Sequence, residues 1–399
     1  MNPSASGWIN KFGSLVHNKA YTYSSYQELY LEFLEHGFVY GIHLEAPSFI
    51  EPEHTLSEDE IAKINLLTAL YFSYVFEMEN TDFEVFVDTV FTYYQEMEVG
   101  RISFLNKILS GSKTVAQLEK LIESRIYLNG NVFSKAIGNS LTNSLLYVDV
   151  LIFRAYLNKI PSLTEHAHLL EYITINLAYH GLYSKKQNEN DLKLMQLLES
   201  SLTYVDLNET EFEGSYLQMI PNNLNECEKD YLLDFACLTV WEDANLDYSE
   251  SAFIFTILSA LGKTKNDAKS ALKNVQFFFE KNQEKIPYLQ DVNLASKFYD
   301  GMTKNVSKLI LRNSKRLKKE LSESRELVQL LAKSATKDLE EQERKKIQSQ
   351  LLDIFKSIPS LAIFLLPGGA VLLPIFIKLI PKLLPSAFDD NRVEEIDQN

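Results

Sequence analysis

The chain has 399 residues, 54 of them Asp or Glu and 39 Lys or Arg, which gives a net charge of −15 and an isoelectric point near 5.1. That acidity excludes a phosphate-neutralising surface spread over the whole molecule, so nucleic acid is not a partner and any basic function is local. At 46% hydrophobic and 12% aromatic, the composition stands far from the disordered class and can bury large cores.

Only 14 glycines occur and no GxGxxG or GxxxxGK[ST] spacing is present, so the backbone cradles of nucleotide-handling folds have nothing to be built from. Roughly 150 residues per domain implies two to three domains. The first thirty residues lack the unbroken apolar run of a secretory leader, so the bulk of the chain is expected to stay where it is made. Cys227 and Cys237 lie ten apart with no CxxC and read as two thiols in a helical core.

From about Ser24 to Asn282 apolar residues recur at helical spacing with short polar breaks, and no segment shows the alternation of a strand. The fold class is all-α. A helix starts near Ser57 with the capping box Ser57-Glu58-Asp59-Glu60, and its neighbour runs from about Thr81 to Met97 with a core-type aromatic stripe. After the Ser110-Gly111-Ser112 break, a buried helix is expected over about Asn131 to Asn158, punctuated by Asp149 and Arg154. Helices over Glu165 to Tyr183 and Asn190 to Tyr204 follow. His166 and His168 fall on different helix faces, which argues against a joint metal site. No Ser, His and acid set stands in a nucleophile context, and the chain does not read as an enzyme.

Between Asp230 and Val240 an apolar helix breaks at Trp241-Glu242-Asp243-Ala244-Asn245-Leu246-Asp247-Tyr248-Ser249-Glu250. Asp243, Asn245 and Asp247 match the first, third and fifth ligand positions of a calcium loop, but Tyr248 and Ile254 stand where Gly and Glu are required. Two readings stand. One is a turn in which Asp247 or Ser249 caps the next helix. The other is a divalent-cation site of Asp243, Asp247 and Glu250. The segment from about 228 to 282 resembles the tellurite-resistance-B-like helical domain, which implies a link to metal-ion stress and membrane-linked complexes.

From Lys304 the charge balance inverts: 14 basic and 8 acidic residues lie between Gly301 and Ser357. Lys304, Lys308, Arg312, Lys315, Arg316 and Lys319 recur at helical spacing over the apolar positions Val306, Leu309, Ile310, Leu317 and Leu321, an amphipathic pattern suited to anionic lipid. The 21 residues from Ser357 to Ile377 then contain no ionisable side chain, enough to cross a ~30 Å hydrocarbon core. The expected architecture is a multi-helical soluble region followed by a basic helical linker and one Pro-rich transmembrane helix. The boundaries read as an arm at 1–20, helical domains at 21–112, 113–221 and 222–300, a linker at 301–356, a membrane segment at 357–386 and an acidic tail at 387–399. The basic flank keeps the N-terminal region cytoplasmic and sends the tail across the membrane, unless Pro367-Gly368-Gly369 turns the segment back as a hairpin. Pro367, Pro374 and Pro381 share one helix face and free carbonyls that need partners in lipid, so this face is expected to pack against a second protomer or another membrane protein.

Residues from about Asp338 to Phe388 resemble the membrane segment and flanks of the leucine-zipper/EF-hand-containing transmembrane family of mitochondrial inner-membrane proteins. The resemblance is carried by Glu343-Arg344, Asp353-Ile354-Phe355-Lys356-Ser357-Ile358-Pro359, Leu365-Leu366-Pro367, Leu372-Leu373-Pro374 and Lys378 through Pro385-Ser386-Ala387-Phe388. It implies proton-coupled potassium or calcium exchange and volume control, and most closely a biofilm-associated bacterial branch placed in the inner membrane. The chain ends eleven residues after Phe388, so the family's EF-hand and its matrix-side, ribosome-binding-like domain are expected to be missing. Two roles follow. One is a membrane-anchored scaffold of envelope physiology. The other is an oligomeric cation/proton exchanger with Asp353 as the ion-linked carboxylate, Lys378 as its charge partner, and carbonyls freed by Pro359, Pro367, Pro374, Pro381 and Pro385 as ligands.

Overall fold

The computed structural model describes residues 1–17, 22–97, 114–126, 146–202, 215–241, 248–282 and 302–389, apart from 53, 188, 304, 305, 335, 336, 338, 359, 360, 362, 363 and 365–370. Among them the regular elements are all helices: α1 (Trp8–His17), α2 (Tyr26–Glu35), α3 (Glu58–Met78), α4 (Phe83–Glu96), α5 (Thr114–Ile126), α6 (Leu146–Leu157), α7 (Leu163–Ser184), α8 (Glu189–Leu202), α9 (Ser215–Asn223), α10 (Glu226–Val240), α11 (Tyr248–Leu261), α12 (Lys265–Asn282), α13 (Ser314–Glu323), α14 (Arg325–Ser334), α15 (Glu341–Ser357), α16 (Leu373–Leu383) and α17 (Ser386–Asp389). A helical stretch at 306–312 precedes α13.

A helix that is apolar on every side belongs in the interior, and one with a single apolar stripe belongs outside. α3, α6, α7 and α10 are of the first kind, buried around most of their circumference, and they pack as α3 on α6, α6 on α7 and α7 on α10. α4 and α12 are of the second kind: Phe86, Val87, Val90, Tyr93 and Tyr94 on one, Ala268, Ala271, Val275 and Phe278 on the other, face this central stack. The expected helix over 131–158 is seen as α6; its first half lies outside the described residues.

Helix ends are closed by side chains. Ser57 and Glu60 cap α3 reciprocally, as the sequence pattern predicts, and Asn225 with Glu228 does the same for α10. The Glu119 carboxylate accepts from the N–H groups of Gly7 and Ile9 at 3.1 and 3.2 Å, so α5 closes the start of α1.

The two charges in α6 are structural. Asp149 receives the Arg125 guanidinium through two bonds of 2.6 and 2.8 Å, and Tyr94 donates to its carboxylate at 3.2 Å. Both partners of that pair are buried. Arg154 pairs with Glu77, lies 3.5 Å from the Tyr26 ring centroid and donates to the Cys227 sulfur. Cys227 and Cys237 form no disulfide.

At the C-terminal side α14 packs on α13, α15, α16 and α17, and α16 also packs on α8, which ties this unit to the central stack.

Candidate functional site

The basic linker is an exposed cationic face on an apolar base. In α13 the side chains of Lys315, Arg316 and Lys319 are exposed while Leu317 and Leu321 are buried. Arg312 extends the face from the preceding stretch, where Val306, Leu309 and Ile310 are buried. Lys308 is half-buried, and Lys304 lies outside the described residues. On the neighbouring helices Lys333 holds Glu343 at 2.6 Å, and Lys346 holds Glu326. Exposed positive charge is thus carried by Lys315, Arg316, Lys318 and Lys319 of α13 and by Arg312, two residues before it.

The uncharged stretch after α15 does not form one helix among the described residues, and no described helix is long and apolar enough to cross a membrane. The transmembrane helix expected over 357–386 is therefore not shown, and its residues 359, 360, 362, 363 and 365–370 lie outside the described residues. Ile358 is extended and ends α15, because the ring of a following proline disfavours helical geometry in the residue before it. α16 then starts afresh with Pro374 in its first turn, where a missing N–H costs nothing. Its buried residues Leu373, Ile375, Phe376, Ile377 and Ile380 face protein, against α14 and α8. Phe376 closes an aromatic cluster with Phe355 and Phe364, centroids 4.6 to 5.1 Å apart.

Of the proline face, Pro374 and Pro381 are half-buried and Pro385 is exposed, whereas Pro359 and Pro367 lie outside the described residues, as does the Pro367-Gly368-Gly369 turn. Lys378 is exposed on the side of α16 opposite its buried stripe. The Asp353 carboxylate is 75% exposed and pairs with Lys356 at 3.0 Å, one helical turn along α15. That geometry is a solvated helix face and does not bring Asp353 to Lys378.

Asp243 and Asp247 lie outside the described residues, while Glu250 is buried in the first turn of α11. Among the described residues no group of three or more His, Cys, Asp or Glu is placed to hold a metal ion. His166 is committed elsewhere, its Nε2 2.7 Å from Glu228 at the start of α10.

One constellation was missed by sequence reasoning. Tyr30 of α2 donates its hydroxyl to Oδ2 of Asp234 in α10 at 2.7 Å, across 204 residues of sequence. Asp234 Oδ1, the Tyr40 hydroxyl and both ring nitrogens of His43 are buried without a hydrogen-bond partner. Burial pushes the Asp234 carboxyl up to about 7 and the His43 imidazole down to about 3. The available signal was a lone Asp inside the apolar run Tyr231-Leu232-Leu233-Asp234-Phe235-Ala236-Cys237.

The class is thus an all-α protein with a helical body and a C-terminal unit of basic and apolar helices. Residues 339–398 match the family model described as LETM1-like, RBD, so this segment carries a LETM1-like relationship. The match starts within a residue of Asp338, where the resemblance in the sequence begins. The matched segment covers the apolar stretch and its flanks. Neither the tellurite-resistance-B-like resemblance nor the biofilm-associated branch is carried by the comparisons. No curated protein and no solved structure matches the chain.

Proposed function

We propose that the chain is a LETM-like helical interaction protein working at a membrane, with the C-terminal unit as the part that meets lipid. The observation that supports this reading most is the exposed face of Arg312, Lys315, Arg316 and Lys319, followed along the sequence by the uncharged run from Ser357 to Ile377. Each well-placed cation near an anionic leaflet contributes about 1 kcal/mol, so four of them suffice for salt-sensitive attachment. On this reading the helical body sits at the cytoplasmic face of a bacterial inner membrane and serves as a scaffold in envelope or biofilm physiology, without catalysis. Half-buried Pro374 and Pro381 supply the contact with a second protomer or another membrane protein. The exchanger reading has less support, because Asp353 is solvated and already paired with Lys356.

Co-sedimentation of the full chain with phosphatidylglycerol-containing vesicles tests the proposal. Binding is expected to fall at least about tenfold on changing Arg312, Lys315, Arg316 and Lys319 together to Glu, with the helical content unchanged. Equal binding to uncharged phosphatidylcholine vesicles, or unchanged binding of the variant, overturns it. Alkaline extraction of membranes then separates surface attachment from a spanning segment.

A further inference from the structure

α16 has an unusual composition for a helix packed on a protein surface: Lys378 and Lys382 are its only ionisable residues, and they sit one turn apart on its exposed ridge. Everything else on it is apolar. Leu373, Ile375, Phe376, Ile377 and Ile380 are buried on the side that meets α14 and α8, with Phe376 also on Phe355 of α15, and Leu379 and Leu383 are half-buried at the margins. The receiving surfaces are equally plain. α14 offers the stripe Leu327, Val328 and Leu331, and α8 is buried at Leu194, Met195, Leu197 and Leu198. No side-chain hydrogen bond or ion pair joins α16 to either helix among the described residues.

Attachment that is apolar throughout has no directional component, and its free energy is that of leaving water. Acyl chains satisfy the same face as well as leucine side chains do. The length of α16 decides how it would enter a bilayer. Eleven residues at ~1.5 Å each reach about half of a ~30 Å hydrocarbon core, so the helix fits the interface plane, with its lysine ridge among the headgroups.

We propose that α16 is a membrane-docking helix whose apolar face has two alternative occupants, the α8–α14 surface in water and the acyl region of an anionic bilayer, so that lipid binding uncovers α8. The inference rests on the membrane-surface reading above and names both the inserting face and its competitor inside the protein. In water the helix is stowed. At the membrane the α8–α14 surface becomes available.

Hydrogen exchange on the full chain, with and without phosphatidylglycerol vesicles, tests it. Amides of 189–202 are expected to exchange at least tenfold faster in the presence of vesicles, while those of Leu373–Leu383 stay protected. A Lys378→Glu/Lys382→Glu variant alters only exposed side chains, so it is expected to unfold at the same temperature as the parent in solution and to bind the vesicles at least about tenfold more weakly. Vesicle binding with unchanged exchange in 189–202, or full binding by the double variant, overturns the inference and leaves the membrane-surface reading standing. Absence of vesicle binding by the parent chain overturns both.

Discussion

Asp234 and His43 are buried groups whose ionisation opposes each other. The Asp234 carboxyl, ordinarily near 3.8, is pushed up to about 7 by burial, so the unfolded chain loses this proton first as pH rises. Its contribution to stability is therefore complete below about pH 4 and is lost progressively up to about pH 7, by roughly 1.4 kcal/mol per pH unit. The His43 imidazole, ordinarily near 6.5, is pushed down to about 3, so its contribution is complete above about pH 6.5 and is lost as pH falls. Between about pH 4 and 6.5 the two slopes cancel. Asp234→Asn is expected to leave stability climbing with pH across that window, and His43→Leu to leave it descending, as read by urea denaturation at three pH values. Two variants that both track the parent profile would show that neither group sets the pH dependence of stability. The chain order hid this arrangement: Asp234, Asp149 and Arg154 all look like punctuation in apolar runs, and the partners that justify them, Tyr30, Arg125 and Glu77, are remote in sequence.

Among the elements, α10 shows how one side chain serves two helices. Glu228 accepts from the Asn225 N–H at 2.9 Å to close the capping box and meets His166 of α7 at 2.7 Å, fully buried. On α3 the N-cap Ser57 bonds only within its own box, while Glu60, the counterpart of Glu228, also accepts from the Ser4 hydroxyl at 2.8 Å. Ser57→Ala is expected to cost about 1 kcal/mol. Glu228→Ala is expected to cost about 2–4 kcal/mol, because it also strands the His166 ring without its partner. Chemical denaturation measures both, and adding His166→Ala should cost less than the sum of the single changes if the two residues act together. The Ser57 cap was legible because it is local, four residues that satisfy one another in any context. The His166–Glu228 half of the second device was not, since on spacing alone His166 paired with nothing. α16 shows the same division: Pro374 and the Ile358–Pro359 step mark where helices begin and end, but the partner of its apolar stripe is written elsewhere.

For the molecule as a whole, the C-terminal unit is held to the body by apolar packing between α16 and α8, with Phe376 at the centre of the Phe355–Phe364–Phe376 cluster. Phe376→Ala is expected to cost about 3–5 kcal/mol by leaving a cavity there. Hydrogen exchange should place the loss in α14 to α16 and leave α3, α6, α7 and α10 as protected as before. Loss of protection throughout would mean that the unit and the body unfold together. The sequence by itself determined the helical class, the Ser57 cap, the two unpaired thiols and the LETM-like segment, since each rests on local periodicity or on a contiguous pattern of residues. It also located the stretch from Ser357 to Ile377 as one that avoids water. What α16, at the end of that stretch, packs against was decided only by the tertiary structure. Hydropathy records the free energy of leaving water and does not distinguish acyl chains from the leucines of α8 and α14, so the choice depends on surfaces assembled from distant parts of the chain.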